Sequence, residues 1–241
     1  KKLCKNPAYT TMHPPWLIER LNSAWPEALV SEILAANNER APMTLRVNSQ
    51  KISRDNYLLK LQKAGIKVEI TSISDYGLML NLPLDVWKLP GFANGECSVQ
   101  DEAAQLAASL LRPSPGERIL DACSAPGGKT GHLIELQPKL KALVALDQDP
   151  KRINLVKENL ERLSIKAQLK VADATLTDTW WDGIFFDKVL IDAPCSASGV
   201  IRRHPDIKIL RNPSDIDKLR QTQLKLTVKR TLINVKNELQ L

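Results

Sequence analysis

Twelve consecutive residues, Ile119-Leu120-Asp121-Ala122-Cys123-Ser124-Ala125-Pro126-Gly127-Gly128-Lys129-Thr130, bring together an acid, a thiol, paired glycines and a lysine. The run reads as a strand, a tight turn and a helix start. Paired glycines let a backbone approach a ligand without a Cβ clash, and the first turn of a helix offers free N–H donors. Three ligands could use such a loop. Gly128-Lys129-Thr130 looks like the end of a phosphate loop, but the first glycine of that pattern would fall at Cys123. Asp121 at the loop mouth is also a poor neighbour for phosphates. The glycine spacing of a dinucleotide fold is absent. The third ligand is S-adenosylmethionine, which carries an amino acid and a sulfonium instead of a pyrophosphate, so a carboxylate at the loop start suits it.

Further acids fall where such a ligand needs them. Asp147 ends the run Ala142-Leu143-Val144-Ala145-Leu146 and is placed to accept two ribose hydroxyls. Asp173 follows a third strand and can sit beside an adenine edge. Each Asp could instead cap a following helix. Three at the carboxyl ends of successive strands, where α/β sheets bind ligands, favour a site. Val189-Leu190-Ile191-Asp192-Ala193-Pro194-Cys195-Ser196 then sets a carboxylate and a thiol at the end of a fourth strand.

The elements that must hold these groups are readable from periodicity. Residues 14–40 read as helical, with Trp16, Leu17, Ile18 and Leu21 on one face and the pattern resuming after Pro26. Residues 43–48, 67–74 and 78–82 read as strands, and Ser53 caps a helix over 54–64 ended by Gly65. Residues 89–95 are loop-like, and 99–111 form a helix with a small-residue apolar face stopped by Arg112-Pro113. Strands at 118–122, 142–146, 169–172 and 188–191 alternate with helices at 128–136 and 150–163. That alternation means a doubly wound parallel sheet of the α/β class. The expected division is a helical and α+β subdomain over 1–114 and a ligand-binding α/β domain over 115–241.

With Asp192–Ser196 in place, the sequence resembles the RNA cytosine-5 methyltransferases over nearly its whole length, to about residue 224. The resemblance rests on residues 121–130 and 192–196 and on Ser198-Gly199-Val200-Ile201-Arg202-Arg203-His204-Pro205-Asp206. Upstream it includes His13-Pro14-Pro15-Trp16-Leu17, Asn37-Asn38 with Met43-Thr44-Leu45-Arg46-Val47-Asn48, and Pro90-Gly91-Phe92 with Val99-Gln100-Asp101. It implies a Rossmann-like class I methyltransferase sheet behind a small RNA-binding α+β subdomain, acting on a cytosine of 16S ribosomal RNA. It further implies that Cys123, Ser124, Ala125, Pro126, Gly127, Gly128, Lys129, Asp147, Asp173 and Asp192 contact S-adenosylmethionine or border its pocket. Asp192 and Pro194 would also face the target base, and Cys195 and Asp192 are the catalytic candidates. The chemistry needs such groups. Cytosine C5 is a poor nucleophile until a thiolate adds at C6, and an acid near N3 stabilises that adduct. A thiol serves only if its site depresses its pKa.

The family pattern departs at both ends. Twelve residues precede His13, where the family carries an N-terminal helical RNA-binding domain. No cysteine follows Cys195, whereas the family places its nucleophile in a later Thr-Cys-Ser segment and uses the Pro-Cys thiol for release. The expectation is a fragment or truncated chain whose sheet stops after the fourth strand, with poor turnover. Its fourth strand would be an open edge, so the chain is expected to be a monomer or to self-associate through that edge, or to lay a helix from 214–238 across it.

Composition narrows the alternatives. With 43% apolar and 25% charged residues the 241-residue chain is ordinary globular protein. No apolar run approaches a membrane span, and no export signal opens it, so a cytoplasmic location is expected. Cys4, Cys97, Cys123 and Cys195 match no zinc spacing, and neither a metal nor a disulfide is expected. Cys4 and Cys97 read as structural, and His13, His132 and His204 as packing or surface groups. The net charge is +7, of which residues 199–241 carry +6. That basic tail, including Arg202 and Arg203, suits a polyanion such as ribosomal RNA. The rival reading is a non-catalytic RNA-binding remnant of the same family.

Overall fold

The computed structural model describes residues 7–233; Cys4 lies outside them. The described residues divide into two compact units, residues 42–193 with 223–233, and residues 7–41 with 194–222.

The larger unit holds two sheets. Strands β1 (Met43–Val47), β2 (Val68–Ile70), β3 (Gly77–Leu80) and β4 (Cys97–Val99) pair antiparallel in the order β2-β3-β1-β4. Alternation sends Met43, Leu45 and Val47 of β1 to one face. There they meet Leu78, Leu80, Val68 and Cys97, with Tyr57 and Leu61 of helix α4 (Arg54–Lys63). Ser53 caps α4 as its sequence predicts, accepting from the Asn56 N–H. The other face of β1 presents Thr44 and Arg46, both buried. The helix read over 99–111 begins later, as α5 (Glu102–Leu111), because residues 97–99 are drawn into β4 by pairing with 45–47. Local periodicity cannot register that long-range pairing.

The second sheet is wholly parallel, in the order β7-β6-β5-β8, from β5 (Arg118–Ala122), β6 (Ala142–Asp147), β7 (Gln168–Val171) and β8 (Lys188–Ile191). Helices α6 (Gly128–Leu136) and α7 (Pro150–Leu163) connect β5 to β6 and β6 to β7. On one face Ile119 and Leu143 pack with Ala108 of α5 and Leu133 of α6. On the other, Leu120, Val144, Leu146 and Val189 pack against Trp180 and Phe186 from the long β7–β8 connection. Each such fully buried aliphatic side chain contributes about 1.5–3 kcal/mol. Among the described residues β8 pairs only with β5 and forms one edge.

The smaller unit is helical: α1 (Pro7–Thr11), α2 (Pro15–Ala24), α3 (Glu27–Ala36), α8 (Ile207–Leu210) and the beginning of α9 (Pro213–Ile233). The helical reading over 14–40 is broken by Trp25-Pro26, since a residue before proline avoids the α region. The helix expected over 214–238 is α9, and residues 234–238 lie outside the described ones. His13 is buried, its Nδ1 2.6 Å from the Thr11 carbonyl and its Nε2 3.2 Å from Asn37 Nδ2. Lys208 donates to Asn38 Oδ1. Among the described residues no helix is long and apolar enough to cross a membrane.

Candidate active site

The carboxyl edge of the parallel sheet is where the predicted residues gather, because β5, β6, β7 and β8 all end there. Backbone bonds fix the register of the strand ends: Asp192 N donates to Ala122 O (3.2 Å), Ser124 N to Leu146 O (2.9 Å) and Ala172 N to Asp147 O (3.0 Å). The loop from Cys123 to Lys129, Asp147, Asp173 and Asp192 therefore share one rim. Cys195, Arg202 and Arg203 belong to the smaller unit. There Cys195 is exposed, its Sγ accepting from the Ala197 N–H at 3.4 Å. Arg202 donates to the Arg40 carbonyl (2.8 Å) and lies 3.4 Å from Glu39.

The loop folds tightly after β5. Cys123 has φ +61°, the Ala125-Pro126 peptide is cis, and Gly127 N donates to Ser124 O (2.8 Å). Gly127 takes φ +94°, and a Cβ there would press on the Val156 side chain at 3.1 Å, so glycine is required on both counts. Gly127 is the N-cap of α6, and no side chain caps it. The first N–H groups of α6 are thus left for a ligand.

Asp121 is fully buried at the end of β5. Its Oδ2 accepts from Thr130 Oγ1 at 2.6 Å, while its Oδ1 has no partner among the described residues. Burial pushes this carboxyl up to about 7, and the nearby Asp192 and Asp147 push the same way, against the Thr130 bond and Lys129. Ser124 Oγ is likewise buried and unsatisfied. Burial, with the same carboxylates, raises the Cys123 thiol to about 11, so it is protonated at neutral pH.

Asp147 is also buried. It accepts from Ala125 N (3.3 Å) through Oδ2 and from Asp149 N (3.1 Å) through Oδ1, and Arg152 Nη1 stands 3.6 Å from Oδ2. Two N–H bonds leave a carboxylate further lone pairs. Arg152 also donates to the Ala125 carbonyl (3.0 Å), bracing the loop from α7. Asp173 Oδ1 takes both the backbone N–H and the hydroxyl of Thr175, each at 2.8 Å. Lys129 forms an ion pair with Asp192, a link across the rim from α6 to the end of β8.

The rim therefore carries four carboxylates against two cations. With a glycine turn and two orphaned buried polar atoms, it suits a ligand bearing positive charge and hydroxyls better than a phosphate. Sequence reading missed Arg152, the Thr130–Asp121 bond and a buried arginine, Arg46, that reaches the loop from β1. A charged residue in the alternating run Met43-Thr44-Leu45-Arg46-Val47 was the available signal, but its partner Glu135 is 89 residues away.

A parallel sheet in this order, with its site on a glycine turn after the first strand, is a Rossmann-like fold of the class I methyltransferase type. The solved structure entitled "Crystal Structure of PH0851" matches it with a TM-score of 0.89 at 30% identity, covering 96% of this chain and 53% of that one. A methyltransferase homolog protein from Pyrococcus horikoshii matches with a TM-score of 0.73 at 26% identity, covering 92% and 74%. The chain belongs to the family described as 16S rRNA methyltransferase RsmB/F, which it matches over residues 108–238; residues 13–87 match the ferredoxin-like domain of RsmF/B-like methyltransferases. It is 54% identical over 218 residues to the ribosomal RNA small subunit methyltransferase B of Pseudomonas syringae pv. tomato, covering 90% of this chain and 48% of that protein. The chain spans about half the length of the curated relatives it matches.

Proposed function

We propose that this chain is the cofactor-binding and base-binding region of an enzyme that methylates C5 of a cytosine in 16S ribosomal RNA, acting in the cytoplasm. S-adenosylmethionine supplies the methyl group. The observation that carries the reading is the buried carboxylate pair, Asp121 and Asp147, flanking an uncapped glycine turn. Asp147 accepts the ribose hydroxyls with its remaining lone pairs, and Asp173 lies toward the adenine edge. Asp121 and the N–H groups of α6 face the amino-acid end, where a cationic amine satisfies the orphaned Oδ1. Residues 1–114 serve as the RNA-binding subdomain and 115–241 as the cofactor domain.

Asp192 is the residue that meets the base. In ion pair with Lys129, its carboxyl oxygens can accept hydrogen bonds from the cytosine amino group and from N3–H once N3 carries a proton. Cys195, three residues on, is the exposed one of the described cysteines and acts in release of the product. Cys123, protonated and partly buried, takes no covalent role. Arg202 and Arg203 contact RNA phosphate.

The test is calorimetry with S-adenosylmethionine. Wild type should bind, and Asp147→Ala should weaken binding by about 1–3 kcal/mol through lost hydroxyl acceptors. No binding by wild type overturns the reading, and equal affinity for both proteins removes Asp147 from the site. Labelled methyl arriving at C5 of unmodified small-subunit rRNA, lost in Cys195→Ala without a trapped adduct, would make Cys195 the nucleophile.

A further inference from the structure

We propose that Arg46 is a positioning residue that sets the cofactor loop from the antiparallel sheet; this rests on the reading of residues 123–129 as that loop. The Arg46 guanidinium is wholly buried. Its Nε and Nη2 donate to the two carboxylate oxygens of Glu135 at 3.0 and 2.8 Å. Its Nη1 donates to the carbonyl of Gly128 (2.6 Å) and to Gln100 Oε1 (2.5 Å). Gly128 opens α6 and belongs to the glycine turn, whereas Glu135 lies in the last turn of the same helix. One planar fork therefore grips α6 near both ends. A second side chain from just beyond β1 adds to the grip: Gln50 Nε2 donates to the Glu135 carbonyl at 2.7 Å, satisfying a carbonyl at the helix end.

Stability alone is a poor reason for this arrangement. A buried ion pair barely repays its desolvation, and apolar residues of the same volume often do as well. A carboxylate in the last helical turn also faces the negative end of the dipole. What the pair gains is geometry. Only a guanidinium can hold Glu135 bidentately and still reach the Gly128 carbonyl; an ammonium is a point donor. The carbonyl it fixes is one residue from Gly127, whose left-handed backbone shapes the turn. A rigid brace on that carbonyl keeps the α6 N–H groups aimed at the ligand before it arrives, which lowers the ordering cost of binding.

The experiment compares wild type, Arg46→Lys and the apolar double variant Arg46→Met with Glu135→Met. Tyr57→Phe serves as control, since it removes a buried bond to Cys97 elsewhere in the same sheet. Each is measured for melting temperature, S-adenosylmethionine affinity by calorimetry, and hydrogen exchange of residues 124–130. Both Arg46 variants should bind about tenfold more weakly, with faster exchange confined to the loop, while Tyr57→Phe loses melting temperature without losing affinity. Wild-type affinity in folded Arg46→Lys and in the double variant overturns the proposal, as does a loss of affinity in Tyr57→Phe that matches theirs. Should those two variants fail to fold, Glu135→Gln, which keeps shape and removes the opposing charge, is judged by the same criteria. If wild type itself binds no S-adenosylmethionine, the reading of the loop fails instead, and loop exchange in Arg46→Lys against Tyr57→Phe still decides whether Arg46 sets the turn.

Discussion

Asp121 should make the protein lose stability as the pH rises from about 4 to about 7. Its carboxyl is raised from 3.8 to about 7, chiefly by burial, and one of its oxygens has no partner among the described residues. A folded pKa above the unfolded one means that the folded state binds the extra proton. The contribution is present in full below about pH 4 and is lost as pH climbs through 7. A rise of that size corresponds to about 4 kcal/mol. Asp121→Asn keeps an oxygen for the Thr130 hydroxyl and puts a neutral amide in the orphan's place. It costs about 1–3 kcal/mol for a buried unpaired donor, but that cost does not titrate. Urea unfolding followed by tryptophan fluorescence at pH 4 to 8, wild type against variant, isolates the group because titrations not coupled to it cancel. The difference should move in favour of Asn by up to about 4 kcal/mol across the range. A difference that is flat with pH, or that moves toward Asp, would refute the assignment of a buried, half-satisfied acid. The same group links to the ligand: a cation beside Oδ1 favours the ionised form, so S-adenosylmethionine should bind more tightly from pH 5 to 8 in wild type but not in Asp121→Asn.

His132 titrates in the opposite sense. Both its ring nitrogens lack hydrogen-bond partners among the described residues, and burial with the Arg46 charge lowers it to about 3, so stability should fall as pH drops from about 6.5 toward 3, by up to about 5 kcal/mol. His132→Leu should lower the acid-unfolding midpoint, at the cost of the edge contact with Tyr76, and an unchanged midpoint would count against a neutral buried ring. Alkylation mapped by mass spectrometry at pH 7.5 should modify the exposed Cys195 well before Cys123 or Cys97, whose thiols burial raises to about 11; fast labelling of Cys97 would contradict its burial beneath Tyr57. Binding of small-subunit rRNA should weaken steeply with salt, and reversing Arg202 and Arg203 should flatten the slope by about one unit per lost phosphate contact, whereas a salt-independent affinity would sink the phosphate role.

Much of the fold was legible because its signals are local. Ser53 before an amphipathic run, Gly65 after it, and apolar strands alternating with helices at 118–171 are read from neighbours a few residues apart. The same holds for the glycine turn and for the acids that end successive strands, since each position follows from where its own strand stops. The late start of α5 was not legible, because pairing with β1, about 50 residues upstream, decides that Val99 is strand and not helix. The state of the acids was not legible either. Asp121, Asp147 and Asp192 are the same chemical group in the sequence. Only packing buries one beside a lone hydroxyl, gives the second two N–H donors, and pairs the third with Lys129.

The sequence by itself determined the class of sheet, the place of the candidate site and the residue types available there. Tertiary structure alone decided which charges are neutral, which are paired, and that an arginine from a different sheet braces the glycine turn. The physical reason is that burial and hydrogen bonding depend on distances through space, and Arg46, Gln100, Gly128 and Glu135 acquire those distances only once the two sheets have packed.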